Sequence, residues 1–152
     1  MSEYYKRLYI FGARWLIFIL IILAVVVEPA LWFFIVVSAL VTWCLAAILQ
    51  KLFHRQRPYL ARKQTPLINL WIPSSSFPSA HSAISFAVAT MVVSENIEFG
   101  LVLLVLALLV ALSRVGVRVH YFTDIIAGAV LGILTALAVK EVLIVMLGIL
   151  LF

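Results

Sequence analysis

Long, uninterrupted runs of apolar residues make up most of the chain, and short polar segments separate them. A helix that crosses a bilayer needs about 20 apolar residues. The first run therefore predicts a spanning helix over residues 8–27, and a second predicted helix covers residues 30–52, after a break at Glu28 and Pro29. Because the break is so short, we expect the two helices to form a tight hairpin.

Three further apolar runs follow in the second half of the chain. They predict helices over residues 79–93 and 97–113, joined by a short polar turn, and a last helix that begins near Phe122. Lys140 and Glu141 interrupt the last run, and the residues that remain are too few for an ordinary spanning helix. They either continue a long fifth helix or form a short sixth one.

The longest polar segment covers residues 51–82 and contains four prolines, at positions 58, 66, 73 and 78. That density of proline forbids a continuous helix. An apolar stretch with Trp71 lies in its middle, and tryptophan is a typical anchor at the membrane surface. We interpret the segment as a surface loop or short helix between the second and third spans. With five spans it lies on the same side as the link at residues 114–121, so the polar residues converge at one end of the bundle.

Composition excludes the other fold classes. Apolar residue types make up 66% of the sequence and charged types 11%, against about 45–50% and about 25% in soluble domains. The strands of a membrane β-barrel alternate apolar and polar residues, whereas the apolar runs here are continuous. The sequence therefore predicts an all-α, polytopic transmembrane helix bundle of about 5–6 spanning helices, in a single domain over residues 1–152.

Charge and cysteine content refine this picture. In a membrane bundle, a net charge of +5 indicates anionic lipid headgroups or membrane topology and not nucleic acid. The single cysteine, Cys44, lies in an apolar run and predicts neither a disulfide nor a thiolate metal site. Several polar residues at predicted helix ends are interpreted as interfacial side chains or headgroup contacts. They are His54, Arg55, Arg62, Lys63 and Arg118.

The link before the last helix carries the strongest chemical signal. His120 and Asp124 are four residues apart, which places them on one face of a helix within contact range. A carboxylate that accepts a proton from one imidazole nitrogen leaves the lone pair of the other free to attack. Arg114 supplies a guanidinium fork that matches the oxygens of a phosphoryl group. The pattern predicts a nucleophilic histidine beside a phosphate site.

A second cluster begins the third predicted helix. Pro78 and Ser79 mark a helix start, where free backbone N–H groups and the positive end of the helix dipole favour an anion. His81, in the first turn, is then placed to protonate a departing oxygen. Arg57 and Lys51 complete the predicted set of cations that stabilise charge developing on the phosphate.

These clusters resemble the three-part signature of the type 2 phosphatidic acid phosphatases, lipid phosphatases that share a core with vanadium haloperoxidases. The resemblance covers residues 51–128, about half of the chain. Its third part fits fully, with Ser113-Arg114, five residues, His120, three residues and Asp124. The second part fits as Pro78-Ser79-Ala80-His81, with alanine where the family usually has glycine.

The first part of the signature departs from the family pattern. The family usually places a lysine seven residues before the arginine of Arg-Pro, but here Gln50 occupies that position and Lys51 is only six residues before Arg57. On a helix, six residues leave the two side chains about 120° apart. Lys51 reaches a shared phosphate only if the helix ends or bulges between them.

The resemblance implies a role for each matched residue. His120 is the nucleophile, Asp124 its orienting partner and His81 the general acid. Four residues hold the phosphate: Lys51, Arg57, Ser79 and Arg114. No metal and no other cofactor is implied. The expected partners are a membrane lipid phosphate as substrate and the bilayer itself, with no nucleic acid and no obligatory protein partner.

Substrate and orientation are expected only in outline. Bacterial relatives act on undecaprenyl diphosphate, phosphatidylglycerophosphate, phosphatidic acid or the 1-phosphate of lipid A. We favour undecaprenyl diphosphate or the lipid A 1-phosphate, because Arg62 and Lys63 could meet a second phosphate. The cations at the polar end point to the cytoplasm by the positive-inside rule. The resemblance instead predicts an inner-membrane protein with its site facing the periplasm, which we favour since several cations would be phosphate ligands.

Two other functions fit part of the sequence. A protein that binds anionic lipid or transports an anion would also need basic clusters at the mouth of the bundle, but it would not need a histidine and an aspartate four residues apart beside an arginine. A lipid phosphotransferase would pass the phosphoryl group to an acceptor other than water, and its residues would look the same.

Overall fold

The computed structural model describes residues 2–69 and 75–151, with side chains as far as residue 148. The described residues form seven α-helices and one 3-10 turn. In chain order these are α1 (Glu3–Arg14), α2 (Leu16–Val27), the 3-10 turn Pro29–Leu31, α3 (Trp32–Phe53), α4 (Pro58–Ala61), α5 (Ala80–Val93), α6 (Ile97–Gly116) and α7 (Phe122–Leu151). The predicted all-helical membrane bundle is confirmed.

The first apolar run differs from the predicted single helix. It is divided at Trp15 into α1 and α2, whose axes are bent by 48°. All the charged residues of the run lie in α1, whereas α2 is wholly apolar. α1 therefore leans across the end of α6, where Tyr9 lies against Gly116 and Gly12 lies against Ser113. Apolar content alone did not reveal the bend.

The number of spanning helices agrees only roughly with the predicted five or six. Among the described residues, three helical segments are long and apolar enough to cross a membrane: Pro29–Ala61, Ile97–Gly116 and Phe122–Gly148. The bent pair α1 and α2 makes a fourth if it forms one span. The fifth apolar helix, α5, has only 14 residues. The last apolar run continues past Lys140 as part of α7, so no separate sixth helix begins there.

The short helix α5 lies at the centre of the bundle, packed against α7, α6 and α3. Along its length Ala83, Ala87 and Val88 are fully buried. α7 approaches α5 closely at two glycines four residues apart, Gly128 and Gly132, where an added Cβ would overlap the backbone of α5. Small residues at this spacing allow helix backbones to pack in contact. This contact fixes the start of α5 against the start of α7.

Candidate active site

The link between α3 and α5 is closed at its base by hydrogen bonds between its two ends. His54 adopts a left-handed conformation (φ 45°) that ends α3. The backbone N–H of Arg55 then donates to Ser75 Oγ at 2.8 Å, and the N–H of Ser76 donates to the Arg55 carbonyl at 2.9 Å. The closure places Arg57 and Ser76 on the same side of the bundle end. Trp71, the predicted interfacial anchor, lies outside the described residues.

His120 is buried at this end, with a relative exposure of 3%. Its Nδ1 lies 2.7 Å from the carbonyl oxygen of Ser76. A carbonyl can only accept, so Nδ1 carries the proton and the lone pair of the neutral ring belongs to Nε2. Nε2 lies 3.4 Å from Arg57 Nη1. The nitrogen that is able to attack thus lies beside a fixed guanidinium.

Asp124 lies in the first turn of α7 and is fully buried. Its Oδ2 accepts a hydrogen bond of 2.8 Å from the backbone N–H of Tyr121, and its Oδ1 accepts one of 2.6 Å from Arg55 Nη1. The distance from Oδ2 to His120 Nδ1 is 3.6 Å, longer than an ordinary hydrogen bond. Sequence reasoning expected Asp124 to accept the proton of one imidazole nitrogen, but in this structure the Ser76 carbonyl accepts the Nδ1–H and Asp124 lies beside the ring.

Arg57 and Arg114 bring two buried positive charges to the site. Arg57 Nη1 donates to the Val119 carbonyl at 3.0 Å and Nη2 donates to the Ser75 carbonyl at 3.2 Å. Arg114 Nη1 donates to the Ala13 carbonyl, at the end of α1, at 2.8 Å. The buried Nε–H of Arg114 has no hydrogen-bond partner within the described part of the chain. Carbonyl oxygens accept from these guanidinium groups without neutralising them, so both arginines can still attract an anion.

Ser79 and His81 lie at the start of α5. Ser79 is the N-cap residue, and its Oγ accepts from the Ser82 N–H at 3.5 Å. Its own N–H donates to the Asp124 carbonyl at 3.0 Å, which ties the start of α5 to the start of α7. His81 is half-buried, and the titratable groups near it are Arg114, His120 and Arg57. Both residues therefore belong to the same cluster as His120.

The structure leaves Lys51 outside this cluster. Its side chain is exposed in the last turn of α3. The preceding residue points inward instead, because Gln50 Nε2 donates to the Pro78 carbonyl at 2.8 Å. The helical rotation between adjacent residues explains why only one of the two faces the start of α5. The phosphate-binding role of Lys51 stays a prediction, and Gln50 occupies the position that the family pattern gives to lysine.

The electrostatic environment keeps the His120 ring neutral. His120 lies in the link between α6 and α7, outside the spanning helices. Burial, together with the positive charges of Arg114 and Arg57, lowers the pKa of His120 to about 4, against the opposing effect of Asp124. An imidazole with that pKa has a free lone pair at neutral pH, as a nucleophile requires.

Sequence reasoning missed three contributors to the site. Ser76 and Ala13 act through backbone carbonyls, which carry no sequence signature. Arg55, interpreted as interfacial, contacts Asp124. The Arg-x-Arg spacing of Arg55 and Arg57 was the one available signal, since residues two apart in an extended segment point to the same side. Within residues 2–69 and 75–151, no group of three or more His, Cys, Asp or Glu side chains is placed to hold a metal ion.

Fold and site together define a helical membrane protein whose polar end gathers two histidines, two buried arginines and a buried carboxylate. Residues 30–144 match the family model of the PAP2 superfamily. The chain belongs to the PAP2 superfamily, and the resemblance to the type 2 phosphatidic acid phosphatases is confirmed.

Individual relatives show how far the similarity extends. The bacitracin transport permease protein BcrC of Bacillus licheniformis is 34% identical over 107 residues, which is 68% of this chain and 51% of that protein. The chain thus spans about half the length of this curated relative. Two solved structures, each 24% identical, share the fold over 91% of this chain. A transmembrane PAP2-type phosphatidylglycerolphosphate phosphatase from Bacillus subtilis has a TM-score of 0.62 and 74% of its chain covered. LpxE from Aquifex aeolicus has a TM-score of 0.64 and 84% covered.

Proposed function

We propose that this protein is a metal-independent lipid phosphatase that removes phosphate from a lipid phosphomonoester or diphosphate through a phosphohistidine intermediate. The arrangement of His120 supports this most directly. Its Nδ1–H is directed at the Ser76 carbonyl, and its Nε2 lies 3.4 Å from Arg57. A phosphoryl oxygen bound by that guanidinium would bring the phosphorus atom within reach of the Nε2 lone pair.

The proposed reaction has two steps. In the first, His120 Nε2 forms a bond to phosphorus while the bond to the lipid oxygen breaks, and His81 in its imidazolium form gives a proton to that oxygen and becomes neutral. In the second, His81 takes a proton from water, which attacks the phosphohistidine and releases inorganic phosphate. Arg57 and Arg114 stabilise the charge on the phosphoryl oxygens in both steps. The Nε–H of Arg114, which has no hydrogen-bond partner among the described residues, and the hydroxyl of Ser79 are the further donors proposed for these oxygens.

The lipid nature of the substrate is supported by an apolar groove beside the site. The groove has a volume of about 230 Å³ and lies between α6 and α7, over α5. It begins at Phe122, Ile125 and Ile126, which flank Asp124 in the chain, and continues between Leu108 and Val130. A hydrocarbon chain lying in this groove from the bilayer would leave its phosphate at the level of His120.

The proposed substrate is a cell-envelope lipid, either undecaprenyl diphosphate or the lipid A 1-phosphate. Arg62 and Lys63 support a second phosphate, because both are exposed on the link after Arg57. Phosphatidylglycerophosphate and phosphatidic acid are the alternatives, and the name of the Bacillus subtilis neighbour supports the former. A panel that contains all four lipids ranks them by kcat/KM.

A transport or lipid-binding function is the second candidate, because the name of BcrC describes a bacitracin transport permease. A transporter does not require the neutral His120 beside Arg57, and it would release no phosphate. A phosphotransferase would release phosphate only in the presence of its acceptor. Both alternatives therefore differ from hydrolysis in the same assay.

The decisive experiment compares the wild-type protein with His120→Ala in detergent, with a chelator present and the lipid panel as substrates. We expect chelator-resistant phosphate release that falls by at least about 10³-fold in the variant, as for other nucleophile removals. His54→Asn is the matched control, because His54 is exposed and left-handed, a conformation that asparagine tolerates. Release that survives His120→Ala would remove the proposed nucleophile, and a folded wild type without any release would favour transport or binding.

We also propose that the protein is an inner-membrane protein and that the site faces the periplasm. With Cys44 replaced by alanine, single cysteines at Gln64 and Ser94 report on the two ends, since both positions are exposed at opposite ends of α5 and its links. An impermeant thiol reagent applied to intact cells should label the cysteine at Gln64 and leave the one at Ser94 unlabelled. The reverse pattern would place the site in the cytoplasm.

A further inference from the structure

Arg55 holds the carboxylate of Asp124, although the proposed reaction gives it no task. Its Nη1 donates to Asp124 Oδ1 at 2.6 Å and to Thr123 Oγ1 at 2.7 Å. Its guanidinium carbon lies 4.3 Å from the centre of the Tyr121 ring, a cation–π distance. Three contacts with residues 121–124 fix the orientation of a long side chain that otherwise has about 38% of its surface exposed.

Asp124 needs such a partner because its carboxylate is fully buried. A buried charge without a counter-charge is strongly unfavourable. The cations that face it are Arg55 in direct contact and Arg57 at longer range, while the ring of His120 is neutral. The hydrogen bond to Tyr121 N–H holds Oδ2 and the bond to Arg55 holds Oδ1, so the carboxylate has a single orientation.

The backbone of Arg55 is tied to the same segment that orients His120. Its N–H and carbonyl bond to Ser75 and Ser76, and the Ser76 carbonyl accepts the Nδ1–H of His120. Arg55 therefore contacts both groups that flank the His120 imidazole. Its backbone is bonded to Ser76, which supplies the carbonyl, and its side chain is bonded to the carboxylate of Asp124.

We propose that Arg55 is a positioning residue of the reaction: it holds Asp124 at the edge of the His120 ring and offsets part of its charge, so that His120 keeps Nδ1–H on Ser76 and Nε2 neutral toward the phosphate. The proposal rests on the proposed phosphatase function. Arg55 acts through Asp124 and does not bind the transferred phosphate.

The test compares wild type, Arg55→Gln and Arg55→Lys, with Arg118→Gln as the matched control, since Arg118 is an exposed cation on the neighbouring link. We expect kcat to fall about 10- to 100-fold in Arg55→Gln with KM changed less than about twofold, and less in Arg55→Lys. The acid limb of the kcat profile should move to higher pH, because the unpaired carboxylate stabilises the His120 imidazolium. The other groups that face the ring, Arg57, Arg114 and His81, are unchanged.

A second comparison separates positioning from direct substrate contact. In an Asp124→Asn background, Arg55→Gln should lower kcat less than about threefold, since the carboxylate through which Arg55 acts is already absent. An equal loss in both backgrounds, or a rise in KM alone, would overturn the proposal and indicate contact with the lipid phosphate. Wild-type kinetics in Arg55→Gln would overturn it as well.

Histidine ¹⁵N NMR tests the positioning role of Arg55 without an activity assay. The His120 signal should titrate at higher pH in Arg55→Gln than in wild type, and an unchanged titration would contradict the positioning role. If the wild-type protein releases no phosphate, the proposed phosphatase function is wrong. The NMR titration would still show whether Arg55 controls the protonation of His120.

Discussion

The two ends of the helix bundle differ in how far their paired charged side chains are exposed to solvent. At the end that carries His120, Arg57, Arg114 and Asp124 are at most 5% exposed and are held mainly by backbone groups and buried partners. At the other end, Lys140 pairs with Glu95 at 2.6 Å with both side chains partly in solvent. Exposed pairs contribute little to stability, whereas buried charges are costly unless they serve a purpose.

This difference supports the proposal that function lies at the buried end. Polar groups at both membrane surfaces could satisfy helix ends, but among the described residues it is at the His120 end that buried arginines and a buried carboxylate surround a neutral histidine. Intramembrane ionisable groups that are buried and paired mark functional sites. The predictions that follow change one end, or the packing that supports it, and use the other as reference.

Removing one cation from the buried end should have the largest effect. Arg57→Gln eliminates the guanidinium beside His120 Nε2 and its bonds to the Val119 and Ser75 carbonyls. We expect kcat/KM for the best lipid substrate to fall by about 10²–10³-fold, the usual cost of one preorganised charge in an active site. Steady-state phosphate release from the detergent-purified protein measures it, and activity within tenfold of wild type would contradict the assigned role.

Acid pH should have the next largest effect, because it lowers the stability of the folded protein through His120. The pKa of His120 is lowered to about 4 in the folded protein, from an ordinary value near 6.5. The unfolded chain therefore binds more protons between these values, so the stability that depends on neutral His120 is complete above about pH 6.5 and is lost as the pH falls toward 4. The loss is at most about 3 kcal/mol.

Thermal unfolding at pH 7.5, 6.0 and 4.5 tests this dependence against His120→Gln. The variant cannot titrate at that position, so its Tm should fall less with acidification than that of wild type. Parallel curves for the two proteins would show that His120 does not carry the pH dependence.

A change in the packing beneath the site should cost somewhat less. In Gly132→Val, the new side chain would overlap the Ala83 carbonyl and push α7 away from α5. Overpacking of this kind costs about 1–3 kcal/mol, and it would also separate Asp124 from Ser79. We expect a lower Tm and a reduced kcat, while Gly148→Val, at a position with open space around it, leaves both unchanged.

The exposed end should respond least. Lys140→Gln removes the pair with Glu95, and we expect a stability loss below about 1 kcal/mol and no change in phosphate release. Urea or thermal unfolding in detergent is sufficient to measure it. If Lys140→Gln lowered phosphate release as much as Arg57→Gln does, the two ends would not differ in their contribution to activity.

Local signals predicted the start of α5 and the convergence of the motifs well. Pro78 and Ser79 marked the helix start, where Ser79 is indeed the cap. The spacing of His120 and Asp124 brought the two side chains near each other, although only Asp124 lies in α7 and His120 lies in the link before it. These features depend on residues near each other in the chain. The number of apolar runs predicted that the links at residues 51–82 and 114–121 lie on the same side of the membrane. That prediction does not depend on how the helices pack.

Contacts made by the backbone or across long separations could not be predicted in the same way. The Ser76 carbonyl competes with Asp124 for the Nδ1 proton, and any residue type would supply that carbonyl. The bend at Trp15 depends on how α1 packs against α6, which hydropathy does not report. An arginine such as Arg55 near a helix end resembles a snorkelling side chain until its partner is known.

The hydrogen bond between Arg114 and the Ala13 carbonyl joins residues 101 positions apart, and this separation has a consequence for biosynthesis. The ribosome makes α1 first, but the arginine that binds its last turn is made only after α2, the 3-10 turn and α3 to α5 are complete. His120 follows later still, and until it is made the Ser76 carbonyl, 44 positions upstream, lacks this partner. The candidate site therefore cannot form before residue 124 has been made, so a chain that stops short of it lacks the site even when its earlier helices are already in place.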